Sequence, residues 1–191
     1  MNVSVSNDYR RSKIHPQKFA LYAACASISM MFVALTSAWI VRQAAGNWLE
    51  FRLPDIFLIN TAVIILSSIT LHASYNAFKK GNTTIYKGGL VVTAVLGLAF
   101  LIGQYFGWME LRNIGIDLVG NPSGSFVYVI SALHAAHIIG GVAAVLIACL
   151  HAFILPHKVT PKRKLRFELT LTYWHFVDLL WVYLLVFMLF Q

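Results

Sequence analysis

The chain has 191 residues, of which 59% are hydrophobic, 14% aromatic and only 12% charged. Soluble domains run at roughly 45–50% apolar and about 25% charged, so this composition, with a mean hydropathy of +0.70, excludes a soluble globule, and it also excludes disorder, which needs low hydrophobicity. The formal charge of +8, from 15 Lys and Arg against 7 Asp and Glu, would point to nucleic acid in a soluble protein; in a membrane protein it reports sidedness, and no nucleic-acid partner is expected.

A helix needs about 20 mostly apolar residues to cross a bilayer. Residues 1–18 read as a polar tail carrying Arg10, Arg11, Lys13 and Lys18. The first apolar run, 19–41, is too long for the apolar region of a typical cleaved signal peptide and predicts a span that stays. A second run covers 55–78 and a third 85–109. The fourth, 125–155, is longer and would tilt or protrude. The fifth covers 168–190. Because the runs are continuous rather than alternating, a β-barrel is not expected. Gly46-Asn47, Gly81-Asn82 and the Asn121–Gly124 stretch mark turns. The fold class predicted is all-α: one membrane domain, 19–191, built as a bundle of five transmembrane helices.

The charges alternate between connections. The tail, the second connection (Lys79, Lys80, Lys87) and the fourth (Lys158, Lys162, Arg163, Lys164, Arg166) hold 12 of the 15 basic residues. The first and third hold Arg42, Arg52 and Arg112 beside Glu50, Asp55, Glu110 and Asp117. The positive-inside rule then places the N-terminus in the cytoplasm and the C-terminus outside. Cys25 and Cys149 lie in apolar runs and read as small buried hydrophobes.

In the fourth span Ala132, Ala136, Gly140, Ala144 and Ala148 recur every four residues. Such spacing lets a neighbouring helix backbone approach closely, within this chain or from another subunit. The same span carries His134 and His137, three apart and on one side, about 14–18 Å from its start at 1.5 Å per residue. The fifth carries His175 and Asp178, about 10–15 Å deep from the opposite face. A buried polar cluster of these four residues is therefore expected. It can be structural, with groups bonded between helices as lipid requires; it can handle protons or a lipid headgroup; or it can be a metal or haem site, although no further carboxylate or Cys completes a ligand shell. Tyr173, Trp174, Trp181 and Tyr183 surround its second half. His72 and His151 read as interfacial, Trp108 as a belt anchor, and Glu168 as the residue opening the fifth helix, where a carboxylate suits the positive end of the helix dipole or pairs with the basic fourth connection. P-loop, dinucleotide-binding, HExxH and G-x-S-x-G patterns do not occur.

The segment Glu168–Trp181, ELTLTYWHFVDLLW, resembles the E-x4-YWHFVD-x2-W signature of subunit III of haem–copper oxidases. Gly124-Ser-Phe-Val-Tyr followed by Leu133-His-Ala-Ala-His-Ile-Ile-Gly-Gly141 is similar to the G-x-x-FY and G-x-H-G-x-H-x-x-x-G patterns of that family. Leu96-Gly97, Phe100 and Gln104, and Ser37-Ala38-Trp39, match more loosely. Glu168, Tyr173, Trp174, Trp181 and Gln104 are then motif positions.

The resemblance implies the short, five-helix bacterial form of the subunit, in the bacterial inner membrane. It implies a non-catalytic role with no redox centre in this chain. Haem a and copper would sit in partner subunits I and II, phospholipids would be bound, and proton uptake and turnover would be sustained. A larger respiratory supercomplex is compatible with it. An aa3-type cytochrome c oxidase is the main reading; the subunit of a quinol oxidase or of a nitric-oxide-reductase-linked complex is the alternative, because donor binding lies in other subunits. From other classes, a bis-His cytochrome b anchor and a small proton-coupled transporter stay open. The family's long form carries a buried glutamate in the helix matching the first span; here that position is Ile28, so chemistry tied to that glutamate does not carry over. Ala132 and Ala135 replace family glycines.

Overall fold

A computed structural model describes residues 15–154 and 159–190. Arg10, Arg11, Lys13 and Lys158 lie outside the described residues. The elements are α1 (Pro16–Ala44), α2 (Ile56–Lys80), α3 (Thr83–Asn113), α4 (Pro122–Ile154) and α5 (Pro161–Phe190). All five are long and apolar enough to cross a membrane, and among the described residues there is no strand.

The ends follow local chemistry. Proline opens α1, α4 and α5, where its missing N–H would be unbonded anyway. His15 accepts from the Gln17 amide at the start of α1. Gly81, at φ +78°, ends α2 in the left-handed region, and Asn82 caps α3 by accepting from the Ile85 amide at 3.2 Å. Two residues thus turn the chain between antiparallel helices.

Two expectations change at the helix ends. Pro16, Gln17 and Lys18, read as tail, already form the first turn of α1. More consequentially, α5 begins at Pro161 rather than at Glu168. Lys162, Arg163, Lys164 and Arg166 are helical, and Glu168 sits about two turns inside, beyond the reach of the terminal dipole. An apolar window detects what crosses hydrocarbon; it does not detect the polar turns by which a helix extends past it. At 30 residues and 1.5 Å per residue, α5 is about 45 Å long, well beyond a hydrocarbon core of about 30 Å.

Helices α2, α3, α4 and α5 close a ring of neighbours, and α1 lies outside it against α4 and α5. The pattern of α1 fits its outer place: its buried side chains are Cys25, Phe32, Thr36 and Trp39, one narrow stripe, while Phe19, Met30 and Val41 are exposed. α2 and α3 approach through small residues. A Cβ at Gly89 would lie 2.8 Å from Ser74 Cβ, and one at Gly107 3.1 Å from the Phe57 ring. Buried polar side chains bond across this seam: Asn60 donates to the Phe100 carbonyl at 3.0 Å, and Ser74 to the Tyr86 carbonyl at 2.7 Å. Without water in the bilayer core, such groups need partners inside the protein.

Candidate functional site

The fifth-helix motif is the hub of the ring. Trp174 is fully buried. Its ring lies where a Cβ on Gly97 of α3 would come within 2.8 Å of Cη2, and one on Gly141 of α4 within 3.0 Å of Cε3. Its indole N–H donates to Ser67 Oγ of α2 at 3.1 Å. One side chain from α5 therefore touches the three other helices of the ring. The preceding residue, Tyr173, donates its hydroxyl to the His137 carbonyl of α4 at 3.1 Å. Two turns further, Trp181 donates to Thr61 Oγ1 of α2 at 2.9 Å, stacks on His134 at 5.0 Å and meets Phe100 edge-on at 5.2 Å.

The four polar residues expected in one cluster divide into two pairs. His134 is fully buried among Trp181, Phe32 and Phe100, the last two centred 6.3 and 6.0 Å away, and among the described residues neither of its ring nitrogens has a hydrogen-bond partner. His137 turns back on its own helix, its Nδ1 2.7 Å from the Leu133 carbonyl, and edges Phe32 at 5.8 Å. The other pair faces α2. His175 Nδ1 lies 2.7 Å from Ser68 Oγ, and the Ser68 hydroxyl also reaches Asp178 Oδ2. His175 and Asp178 share a face because three helical positions separate them; His134 and His137 project from a different helix toward α1 and Trp181.

Glu168 gathers a second polar group at the basic end of the bundle. Its Oε2 pairs with Lys18 Nζ of α1 at 2.6 Å. Its Oε1 accepts from the Tyr75 hydroxyl of α2 at 2.7 Å and lies 3.9 Å from Lys164. The dipole role gives way to the other expected one, pairing with the basic fourth connection through Lys164, and the added bonds to Lys18 and Tyr75 tie α1, α2 and α5 together. Gln104 is buried, and among the described residues neither of its amide atoms has a partner. Trp108 donates to Ser131 Oγ at 2.9 Å, an interhelical bond in addition to any belt role. His72 and His151 are exposed.

The small-residue row of α4 does not form the seam inside this chain. Ala132, Ala136 and Gly140 are exposed, and Ala144 and Ala148 half-buried. The internal face of α4 is instead Val127, His134, Ile138, Gly141, Val142 and Val145. Sequence spacing identified the row; it could not say which side of the helix the ring would take. The missed partners are Thr61, Ser67 and Ser68. The Ser67-Ser68 pair, polar within an apolar run, was the available signal.

Among the described residues no three His, Cys, Asp or Glu side chains converge as a metal-ligand set. A haem between two histidines needs opposed imidazoles across a flat slot. Around His134 that space is filled by Trp181, Phe32 and Phe100, and His137 Nδ1 is engaged by its own helix, so these residues do not fit a bis-His haem.

A family model described as cytochrome c oxidase subunit III matches residues 20–191. The chain is 29% identical over 159 residues to the probable cytochrome c oxidase subunit 3 of Nocardia farcinica, covering 80% of this chain and 77% of that protein. It is 27% identical over 165 residues to cytochrome c oxidase subunit 3 of Corynebacterium diphtheriae, covering 82% and 79%. It is 31% identical over 130 residues to the subunit 3 of Gallus gallus, covering 68% of this chain and 48% of that one.

Proposed function

The chain belongs to the cytochrome c oxidase subunit III family, and from that premise we propose that it is the non-redox subunit III of a bacterial aa3-type cytochrome c oxidase, a multi-pass inner-membrane protein that stabilises subunit I, binds phospholipid and supports proton uptake and turnover, with haem a and copper held by subunits I and II. The observation that carries this reading is the use made of the fifth-helix motif. Tyr173, Trp174 and Trp181 hold helices together instead of presenting a reactive centre. Such a chain serves by shape, and the surface it offers matters more than any chemistry of its own.

Ala132, Ala136 and Gly140 supply one such surface. Open on α4, they let a partner helix approach closely. Ala136→Leu is expected to leave the fold of this chain intact, since the position is exposed, while costing on the order of 1–3 kcal/mol of docking through overpacking. Recovery of the accompanying subunits after graded detergent extraction reads it; undiminished recovery would remove α4 from the interface.

Lipid binding is supported by a groove of about 570 Å³ among α2, α3, α4 and α5, lined by Phe78, Tyr86 and Phe167 together with His151, Arg163 and Arg166. Arg163 donates to the His151 carbonyl at 3.4 Å. Cations beside an apolar groove at the basic end of a bundle suit an anionic headgroup with its chains.

The same end carries Lys18, Lys79, Lys80, Lys87 and the basic start of α5, whereas at the other end Arg52 and Arg112 pair with Asp55 and Asp117 at 3.0 and 3.6 Å. This asymmetry supports a cytoplasmic N-terminus and an external C-terminus. An alkaline phosphatase fused after Gln191 is expected to be active and one fused after Lys80 inactive; the reverse pattern would invert the topology.

A further inference from the structure

On the outer wall of the α2–α5 seam, one serine hydroxyl joins a carboxyl and an imidazole. Ser68 Oγ contacts Asp178 Oδ2 and, at 2.7 Å, His175 Nδ1. A hydroxyl has a single proton to donate, so it serves one neighbour and accepts from the other. Asp178 is only 5% exposed, and its Oδ1 has no hydrogen-bond partner among the described residues. An ionised carboxylate with an unbonded oxygen is costly in an apolar medium, far more so than a neutral acid whose orphan is a carbonyl. His175 is half-buried and His72 exposed, their rings centred 5.8 Å apart. Both line a groove of about 370 Å³ that also reaches Ser68 and Asp178.

We propose that Asp178, Ser68 and His175 form a proton-binding relay that takes up and releases one proton through His175, with His72 at its mouth. In the loaded form Asp178 donates its acid proton to Ser68 Oγ, Ser68 donates to His175 Nδ1, and His175 carries its own proton on Nε2. On release the Nε2 proton leaves to His72 or water. The Ser68 proton moves to Nδ1 and the Asp178 proton moves to Ser68. Ser68 then donates to the Asp178 carboxylate and His175 Nδ1 donates to Ser68. Three exchangeable protons become two, the charge of the relay falls by one, and both forms use the same heavy-atom positions.

Several charged and titratable groups of the neighbouring helices make other contacts. Lys18 of α1 pairs with Glu168, Lys87 of α3 lies over Phe153, and His134 and His137 of α4 pack on Phe32. Along α2 the next polar rung is Tyr75, three positions from His72 and bonded to Glu168 at 2.7 Å. The relay concerns this chain's own carboxyl and stands apart from the role proposed in an oxidase.

Infrared difference spectroscopy across a pH jump tests it, on the chain purified in mild detergent with whatever subunits accompany it. Expected is a protonated-carboxyl C=O band that grows as pH falls, shifts when aspartate is carbon-13 labelled and is missing from Asp178→Asn. Ser68→Ala keeps the carboxyl and is expected to slow the band's appearance on the order of tenfold or more, as loss of a positioned proton donor does. A band that ignores pH, or that persists in Asp178→Asn, overturns the site. An unchanged rate in Ser68→Ala overturns the relay. If Asp178→Asn does not accumulate, the isotope shift in the natural sequence and the Ser68→Ala rate decide alone.

Discussion

Trp174→Ala is expected to destabilise the helix bundle by about 3–5 kcal/mol, the usual cost of removing a large aromatic from a packed core. The indole is fully buried and fills the space that Gly97 and Gly141 leave open, so its loss creates a cavity on α3 and α4 at once. It also leaves Ser67 without its donor. A titration of the purified protein with a denaturing detergent, followed by helix circular dichroism, reads the change. Trp174→Phe should fall between, since it keeps most of the ring and loses the Ser67 bond. The glycine side gives a cross-check. A Cβ on Gly141 already lies 3.0 Å from the indole, so Gly141→Leu alone should destabilise by about 1–3 kcal/mol. Combined with Trp174→Ala it should recover part of the loss, because the new side chain enters the vacated space; such non-additivity is the mark of residues in contact. A Trp174→Ala cost below about 0.5 kcal/mol, the range of ordinary surface changes, would mean that the hub is elsewhere.

Glu168→Ala is expected to cost about 2 kcal/mol. Isolated surface ion pairs contribute about 0–1 kcal/mol, but Glu168 is not isolated. Its side chain is 23% exposed, and it accepts at once from Lys18 at 2.6 Å and from Tyr75 at 2.7 Å. Hydrogen bonds to charged groups contribute roughly 1.5–3 kcal/mol. Removing the carboxylate takes this counter-charge from Lys18 and detaches the start of α1 from α5. Because α1 has only a narrow buried stripe, its first turns should loosen before the ring does. Amide hydrogen exchange at residues 18–24 is the measurement: a rise there, with α3 unchanged, is expected. Glu168→Gln keeps an acceptor for Tyr75 and should lose about half as much. Equal protection in Glu168→Ala and the natural protein would reduce the pair to a surface contact without effect.

The five helices were legible because apolar runs of bilayer length carry a strong signal that no local detail can reverse. Their ends were less so. Pro161 and the cationic turns after it look like connection in the sequence, since nothing apolar marks a helix that continues into water. Glu168 was recognisable as important, and its pairing with the basic fourth connection is found at Lys164, but its nearer partners, Lys18 and Tyr75, were hidden because they come from α1 and α2. The division of His134, His137, His175 and Asp178 was illegible for a related reason. Depth along a helix can be counted from sequence, whereas rotation about its axis depends on which neighbours it meets. That same rotation turned Ala132, Ala136 and Gly140 outward and Gly141 inward. Small-residue spacing marks a close approach without saying to whom. The specific signature around Trp174 identified the family, and only the packing showed why its aromatic residues occur together.

The most direct test of the proposed place in an oxidase is purification of the tagged chain in mild detergent, with a visible spectrum and identification of the accompanying proteins. Expected is a complex with haem a absorbance, a subunit I and a dicopper subunit II, together with bound anionic phospholipid. The chain recovered without those subunits from membranes that contain them, or carrying a haem of its own, would contradict it.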